Sequence, residues 1–132
     1  MADLLATPAD WPRILLARAG KPGARAAGPA YDPADLEAAI GAGAWEGFRR
    51  AVRDLGATGT IATIAASGLR GRGGGGFPTG EKWRTAAQQP VERRFVVANG
   101  YEADPAAAAD RTLMTLDPHA VVEGLAIAAF AV

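Results

Sequence analysis

The sequence contains no cysteine, which removes disulfides, thiolate metal sites and iron–sulfur ligation from the chemistry this chain can perform by itself. It has a single histidine, His119, and one imidazole does not make a zinc site, although carboxylates stay open to magnesium or calcium. Neither sign of charge is in excess. Fourteen Lys and Arg face 14 Asp and Glu, which argues against a general polyanion-binding surface. Long apolar runs are missing too: the longest, Val121 to Val132, includes Glu123 and falls short of the roughly 20 residues of a membrane-spanning helix. The opening MADLLATPADWPRILLARAG lacks the basic start and apolar core of a secretory signal. A cytoplasmic location is expected, with any membrane association made through a partner.

At 132 residues the chain is long enough for one compact domain. Trp11 to Ala19 alternates loosely and reads as a strand or arm, and Gly20 to Ala30 is a glycine- and proline-rich linker. Residues 1–30 are therefore set apart from a domain over 31–132. Asp32 and Pro33 offer a cap and a first helical residue for a helix through Ala39 or Ile40, with Leu36 and Ile40 on one face. Ala44 to Leu55 is amphipathic, with Phe48, Val52 and Leu55 aligned, and a third helix covers Thr60 to Ala66 before Gly68. A helix from Pro78 or Thr79 through Gln88 carries Lys82 and Trp83. Arg94 to Ala98 (RFVVA) is the best candidate for a buried strand, with Asn99 to Ala109 a loop from its end. Helices follow at Arg111 to Leu116 and from Pro118, the latter capped by Asp117. His119 is expected to cap or bond locally, and Asp110 with Arg111 to form an ion pair.

The chemistry concentrates in Ser67 to Lys82, SGLRGRGGGGFPTGEK. Five of the six residues from Gly71 to Gly76 are glycine, and a helix start follows. Bare backbone lets amide groups approach an anion, the helix N-terminus adds partial positive charge, and Lys82 lies one turn in. A phosphate-bearing ligand is the expectation; a merely flexible loop stays open as the bland reading. Known nucleotide motifs fit less well. Gly75 and Gly80 have the Walker A gap, but Glu81 stands where the lysine belongs. Gly71, Gly73 and Gly76 satisfy GxGxxG, yet the strand follows the loop instead of preceding it. Arg70 and Arg72 suggest an arginine–glycine RNA-binding segment, but it is single, flanked by expected helices, and set in a chain without net charge.

SGLRGRGGGGFPTGEKW resembles the signature of the family formed by the NADH-binding, FMN-containing 51 kDa (F) subunits of complex I and related NAD-linked hydrogenase and formate dehydrogenase subunits. A second block at the right distance, VVANGYEADP followed by DRTLM, DPH and EG, strengthens the resemblance. It covers roughly residues 12 to 132 and implies an N-terminal fragment of an α/β protein. The expected fold is an N-terminal helical segment plus the first part of a three-layer FMN-binding domain. By the same resemblance Gly71, Arg72, Gly73, Gly74 and Lys82 hold FMN together with Asn99 and Glu102. Phe77 and Asp104 meet the nicotinamide of NADH. Partners would be the other subunits of a multi-subunit oxidoreductase, an iron–sulfur subunit among them, placing the chain at the inner membrane without insertion.

Several positions depart from the family pattern. Gly75 replaces an alanine, Tyr101 an aspartate, Asp104 a glutamate, Ala106 a glycine, and Thr85 a second aromatic near NADH. Family members also continue for a few hundred residues, with the iron–sulfur cluster in that later part. The implied function is the N-terminal portion of an NADH:acceptor (quinone-type) oxidoreductase subunit, inactive alone, passing hydride from NADH to FMN. The competing reading is a non-catalytic remnant or accessory module that binds a nucleotide or a protein partner.

Overall fold

The computed structural model describes Arg18, residues 31–104 and residues 106–132. The arm and linker expected before Tyr31 lie, Arg18 aside, outside the described residues. The described residues form six α-helices: α1 (Leu36–Gly41), α2 (Glu46–Arg50), α3 (Gly56–Ala66), α4 (Thr79–Ala87), α5 (Ala109–Leu116) and α6 (Pro118–Ala131). Between α2 and α3, Ala51–Leu55 forms a wider π-helical turn. The chain divides into two compact units. One combines the described residues up to Ala44 with Asn99–Val122, and the other combines Trp45–Ala98 with Glu123–Val132.

The first unit is built on a buried carboxylate. Asp117 accepts from the Arg18 guanidinium through Nε (2.9 Å) and Nη2 (3.2 Å), and from the Tyr31 hydroxyl (2.8 Å). It also accepts from the Ala120 N–H at 3.1 Å, the N-cap of α6 expected from Asp117-Pro118. Burial opposes the charge on Asp117, but the donors from Arg18, Tyr31 and Ala120 hold its carboxyl below the usual range. Burial, and then the bond to Asp117, push the Tyr31 hydroxyl up to about 12. His119 reaches far along the chain: Nε2 meets the Pro33 carbonyl at 3.1 Å, and its ring lies 5.8 Å from that of Tyr31. The N-cap of α1 is Asp35, not Asp32. Asp35 accepts from Ala38 N–H at 3.0 Å, while Asp32 is used in a turn, accepting from Ala34 N–H at 2.9 Å. No ion pair joins Asp110 and Arg111 among the described residues.

The second unit packs α3 against α4 at unusually short range. Gly80 makes this possible, since a Cβ there would lie 2.5 Å from the Ala65 Cα. Thr60 and Ile61 are buried on α3, and Ala128 and Ala131 on α6. Leu36 and Val52, both expected on packed faces, are instead half or nearly half exposed. Small residues are buried in their place, Ala39 in the first unit and Ala51, Ala128 and Ala131 in the second. The helix α2 begins at Trp45, a non-glycine residue at φ 68° with no side-chain cap of its own. Glu123 of α6 supplies the cap. Its Oε2 accepts from Trp45 N–H (2.8 Å) and its Oε1 from Phe48 N–H (3.1 Å). One remote carboxylate thus does the work that a capping box divides between two local side chains. Gly47 leaves room for it, because a Cβ there would meet Glu123 Oε1 at 2.9 Å. Phe48 packs edge-on against Phe130, with centroids 6.4 Å apart.

The expected strand Arg94–Ala98 is corrected by the structure. The segment takes part in no ladder, and no β-strand occurs among the described residues. The described fold is helical, so the expected α/β class and three-layer arrangement are not shown in this short chain. The apolar run reported what the segment needs to bury, whereas a strand also requires a neighbour with which to share its hydrogen bonds.

Candidate functional site

The glycine segment forms a closed loop with a defined neck. Gly71 N–H donates to Phe77 O and Thr79 N–H to Leu69 O, both at 2.9 Å, which pairs Arg70 with Pro78 in one antiparallel bridge. Arg70 reaches across inside that neck, its Nη1 donating to Gly76 O at 3.0 Å. Gly74 (φ 104°) and Gly76 (φ 58°) occupy left-handed backbone that a side chain would strain. Around Gly73, Gly74 and Gly75 there is open space where a Cβ would stand. The tip of the loop is therefore bare, exposed backbone mounted on a fixed base.

That base leads directly into α4. Its first residue gives its N–H to Leu69, and no side chain caps the helix. The N–H groups of Gly80 and Glu81 are left without an acceptor among the described residues. The Glu81 carboxylate turns away to pair with Arg84. Lys82 and Arg72 are exposed and carry no ion pair among the described residues. Along the same helix runs an open, largely apolar groove of about 470 Å³ lined by Phe77, Lys82, Thr85, Ala86 and Gln89. Phe77, 59% exposed, and Lys82 are thus brought together, with Thr85 beside them. A half-exposed aromatic face next to an ammonium and an uncapped helix start suits a planar ligand with an anionic tail.

The remaining expected site residues belong to the first unit, where their oxygens serve the local backbone. Asn99 Oδ1 accepts from Tyr101 N–H at 2.9 Å and Asp104 Oδ1 from Ala106 N–H at 2.8 Å, both short-range turns. Glu102 Oε1 accepts from Asp110 N–H at 2.8 Å and so satisfies an amide in the first turn of α5. Tyr101 is 79% exposed. No group of three or more His, Asp or Glu side chains is placed to hold a metal ion among the described residues.

Residues 64–132 match the Nuo51 FMN-binding domain family, Complex1_51K, over a span that contains the loop, α4 and the Asn99–Asp104 segment. The chain belongs to this family. It is 44% identical over 97 residues to the F subunit of the NADH-quinone oxidoreductase of Rhodobacter capsulatus, covering 73% of this chain and 22% of that protein. The NADP-reducing hydrogenase subunit HndC of Solidesulfovibrio fructosivorans is 38% identical over 101 residues, covering 76% of this chain and 20% of that protein. The match to the corresponding F subunit of Aquifex aeolicus is 45% over 69 residues, covering 52% of this chain and 16% of that protein. The chain thus spans about a fifth of the length of the curated relatives it matches. These relatives are named as subunits of larger enzymes. No single described helix is long and apolar enough to cross a membrane.

Within this Nuo51-type chain the usual alanine of the glycine loop fits the position of Gly75. That residue lies outside the left-handed region, and nothing stands within 4 Å of where its Cβ would be. Two residues that organise the surroundings were not singled out for that role by the sequence: Asp117, beyond its capping of α6, and Glu123. For Glu123 a signal existed. A lone carboxylate inside the longest apolar run needs buried donors, and the helix start at Trp45 provides them.

Proposed function

We propose that this chain supplies, over residues 31–132, the phosphate-gripping front of the flavin site of an NADH:acceptor (quinone-type) oxidoreductase subunit. The observation that carries the reading is the glycine loop closed at its neck and feeding the uncapped start of α4, within a member of the Nuo51 FMN-binding family. The exposed amides of Gly71, Arg72, Gly73 and Gly74 would face the FMN phosphate, with Lys82 as a point charge and the α4 N-terminus as a dipole. Asn99 keeps its amide N–H2 and Glu102 its second oxygen for the flavin. Phe77 would stack on the nicotinamide of NADH, with Asp104 nearby. FMN, when bound, supplies the chemistry of accepting hydride from NADH and releasing electrons singly. The protein orients both rings and excludes water. Residues 1–132 contain no cysteine, so iron–sulfur centres to receive those electrons would lie in the part of the family's length that this stretch does not match or in partner subunits. The partners are accordingly other subunits of a multi-subunit oxidoreductase, and the location cytoplasmic, peripheral to the inner membrane.

Titration of the purified chain with FMN, followed by flavin fluorescence, tests this reading. Quenching that saturates, and a Lys82→Ala variant about tenfold weaker, is the expected result, from loss of about 1.5 kcal/mol of charge-assisted contact. A protein that never perturbs the flavin signal would defeat it. The changed residues Tyr101 and Thr85 favour a second reading, a module that holds the nucleotide without turnover. Saturable FMN binding without NADH-dependent bleaching, even beside complementing subunits, would select that one.

A further inference from the structure

The helix α4 ends without the residue that usually closes one. No glycine follows its last turn: the chain runs Gln88, Gln89, Pro90, and proline cannot carry the helix on. The terminal carbonyls therefore need other donors. Gln88 N–H reaches Arg84 O at 3.1 Å, Gln89 N–H reaches Ala86 O at 3.2 Å, and the Gln89 side chain returns Nε2 to Thr85 O at 3.0 Å. The rest falls to one side chain from beyond the helix. The Arg94 guanidinium donates Nε to Ala86 O (3.0 Å) and Nη2 to Ala87 O (3.0 Å) and Gln89 O (2.6 Å). A planar fork thus spans three carbonyls, and its charge stands at the negative end of the helix dipole. Arg84, the cation of the last turn itself, is turned toward Glu81 instead.

Two of the residues so clasped, Ala86 and Gln89, also line the groove that begins at Phe77 and Lys82. We propose that Arg94 is a positioning residue for that groove: it holds the last turn of α4, and with it the 86–89 end of the wall along which NADH is seated. A nine-residue helix gains little from propensity alone, so an unclasped last turn frays. Gln89 then loses its place, and a ligand must re-order that wall before it binds. The loop neck at the other end of α4 is closed by its own backbone bonds and does not need the clasp. Arg94 therefore serves the groove and not the FMN phosphate at the glycine loop. It acts through Ala86 and Gln89 and is itself no part of the groove lining. The inference rests on the proposed seating of NADH along Phe77 and adds the residue that keeps that seat formed.

Arg94→Ala in the full chain tests it, with NADH and FMN titrated separately and amide exchange followed. Exchange at Gln88 and Gln89 should quicken about tenfold, while the Thr79 N–H at the loop neck stays as in the parent. NADH affinity should fall about fivefold, the cost of ordering one turn and one glutamine on binding, and FMN affinity less than about twofold. Arg93→Ala, at the exposed neighbouring residue, should change none of these. Unchanged exchange at the buried Ile61 of α3 confirms that the variants fold. Unaltered exchange at Gln88 and Gln89 overturns the proposal, as does quickened exchange with undiminished NADH binding. Equal weakening of both nucleotides overturns it too, because that marks a general loosening. A parent chain that binds FMN and ignores NADH overturns this inference alone; a parent that binds neither defeats the flavin reading and this inference with it.

Discussion

The loop from Arg70 to Thr79 and the loop from Asn99 to Asp104 both carry expected cofactor residues, but they use their polar groups in opposite ways. In the first, backbone bonds between Gly71 and Phe77 and between Leu69 and Thr79 close the base, so the glycine tip is left free. In the second, side-chain oxygens of Asn99, Glu102 and Asp104 are consumed in shaping the loop and starting α5. A loop braced by its main chain keeps its amides and cations available to an anion. A loop braced by its carboxylates has fewer groups to offer until something competes for them.

The strongest way to break the contrast is to disturb the base of the first loop. Gly80→Val would drive a branched side chain into Ala65 and should destabilise the second unit by about 3 kcal/mol, with faster amide exchange at 70–79. Urea unfolding of the variant measures it; a midpoint equal to the parent's would show that α3 and α4 do not need this approach. Next in size is the buried carboxylate of the first unit, the unit that also contains the second loop. Asp117→Asn leaves the Arg18 guanidinium without its anion and should cost about 2 kcal/mol.

The pH dependence sharpens the same comparison, because it belongs to the first unit. Asp117 titrates lower folded than unfolded, so its contribution is present above pH ~4, the unfolded value, and is lost as pH falls through the folded one. Tyr31 titrates higher when folded. The unfolded chain therefore loses that proton first, and stability drops as pH rises from 10 toward about 12. Thermal melts across pH should show both limbs; Tyr31→Phe should remove the alkaline one and keep the acid one.

Smaller effects distinguish the loops themselves. Glu102→Ala removes an acceptor from the first turn of α5 and should cost about 1 kcal/mol, read by chemical denaturation. Gly75→Ala meets open space and should be neutral or stabilising by about 0.5 kcal/mol, without weakening FMN binding. If it weakened binding strongly, the loop tip would have to approach its ligand at Gly75 itself.

Local signals were legible in the sequence and remote ones were not. The glycine loop, the start of α4 and the cap of α6 depend on residues a few positions apart, and they stand where residue type and spacing place them. The helix at Leu36 shows the limit of such reading: two aspartates compete within one turn, and Asp35 takes the cap while Asp32 takes the turn before it. Of the aligned Phe48, Val52 and Leu55, only Val52 is exposed, and it lies in the π-helical turn Ala51–Leu55, which shifts the angular register. Arg94–Ala98 was legible as apolar, but residue types alone do not say whether a neighbour is present to pair with it, and Phe95 and Val97 are exposed. The reach of His119 to Pro33 and of Asp117 to Arg18 spans most of the chain, and no periodicity encodes it. For the candidate site, the sequence placed Phe77 just before α4 and Lys82 in its first turn, whereas the local duties of Asn99, Glu102 and Asp104 emerged only with the backbone.

The carboxylate of Glu123 has a consequence for the order in which the chain acquires structure. The helix α2 is five residues long, too short to persist alone, and it starts at a tryptophan in left-handed backbone. Its stabilising acceptor arrives from 78 residues farther along. The turn at Trp45 is thus a late event on the folding path, formed after a large loop has closed and α6 has docked, while α3 and α4, separated by one braced loop, assemble early.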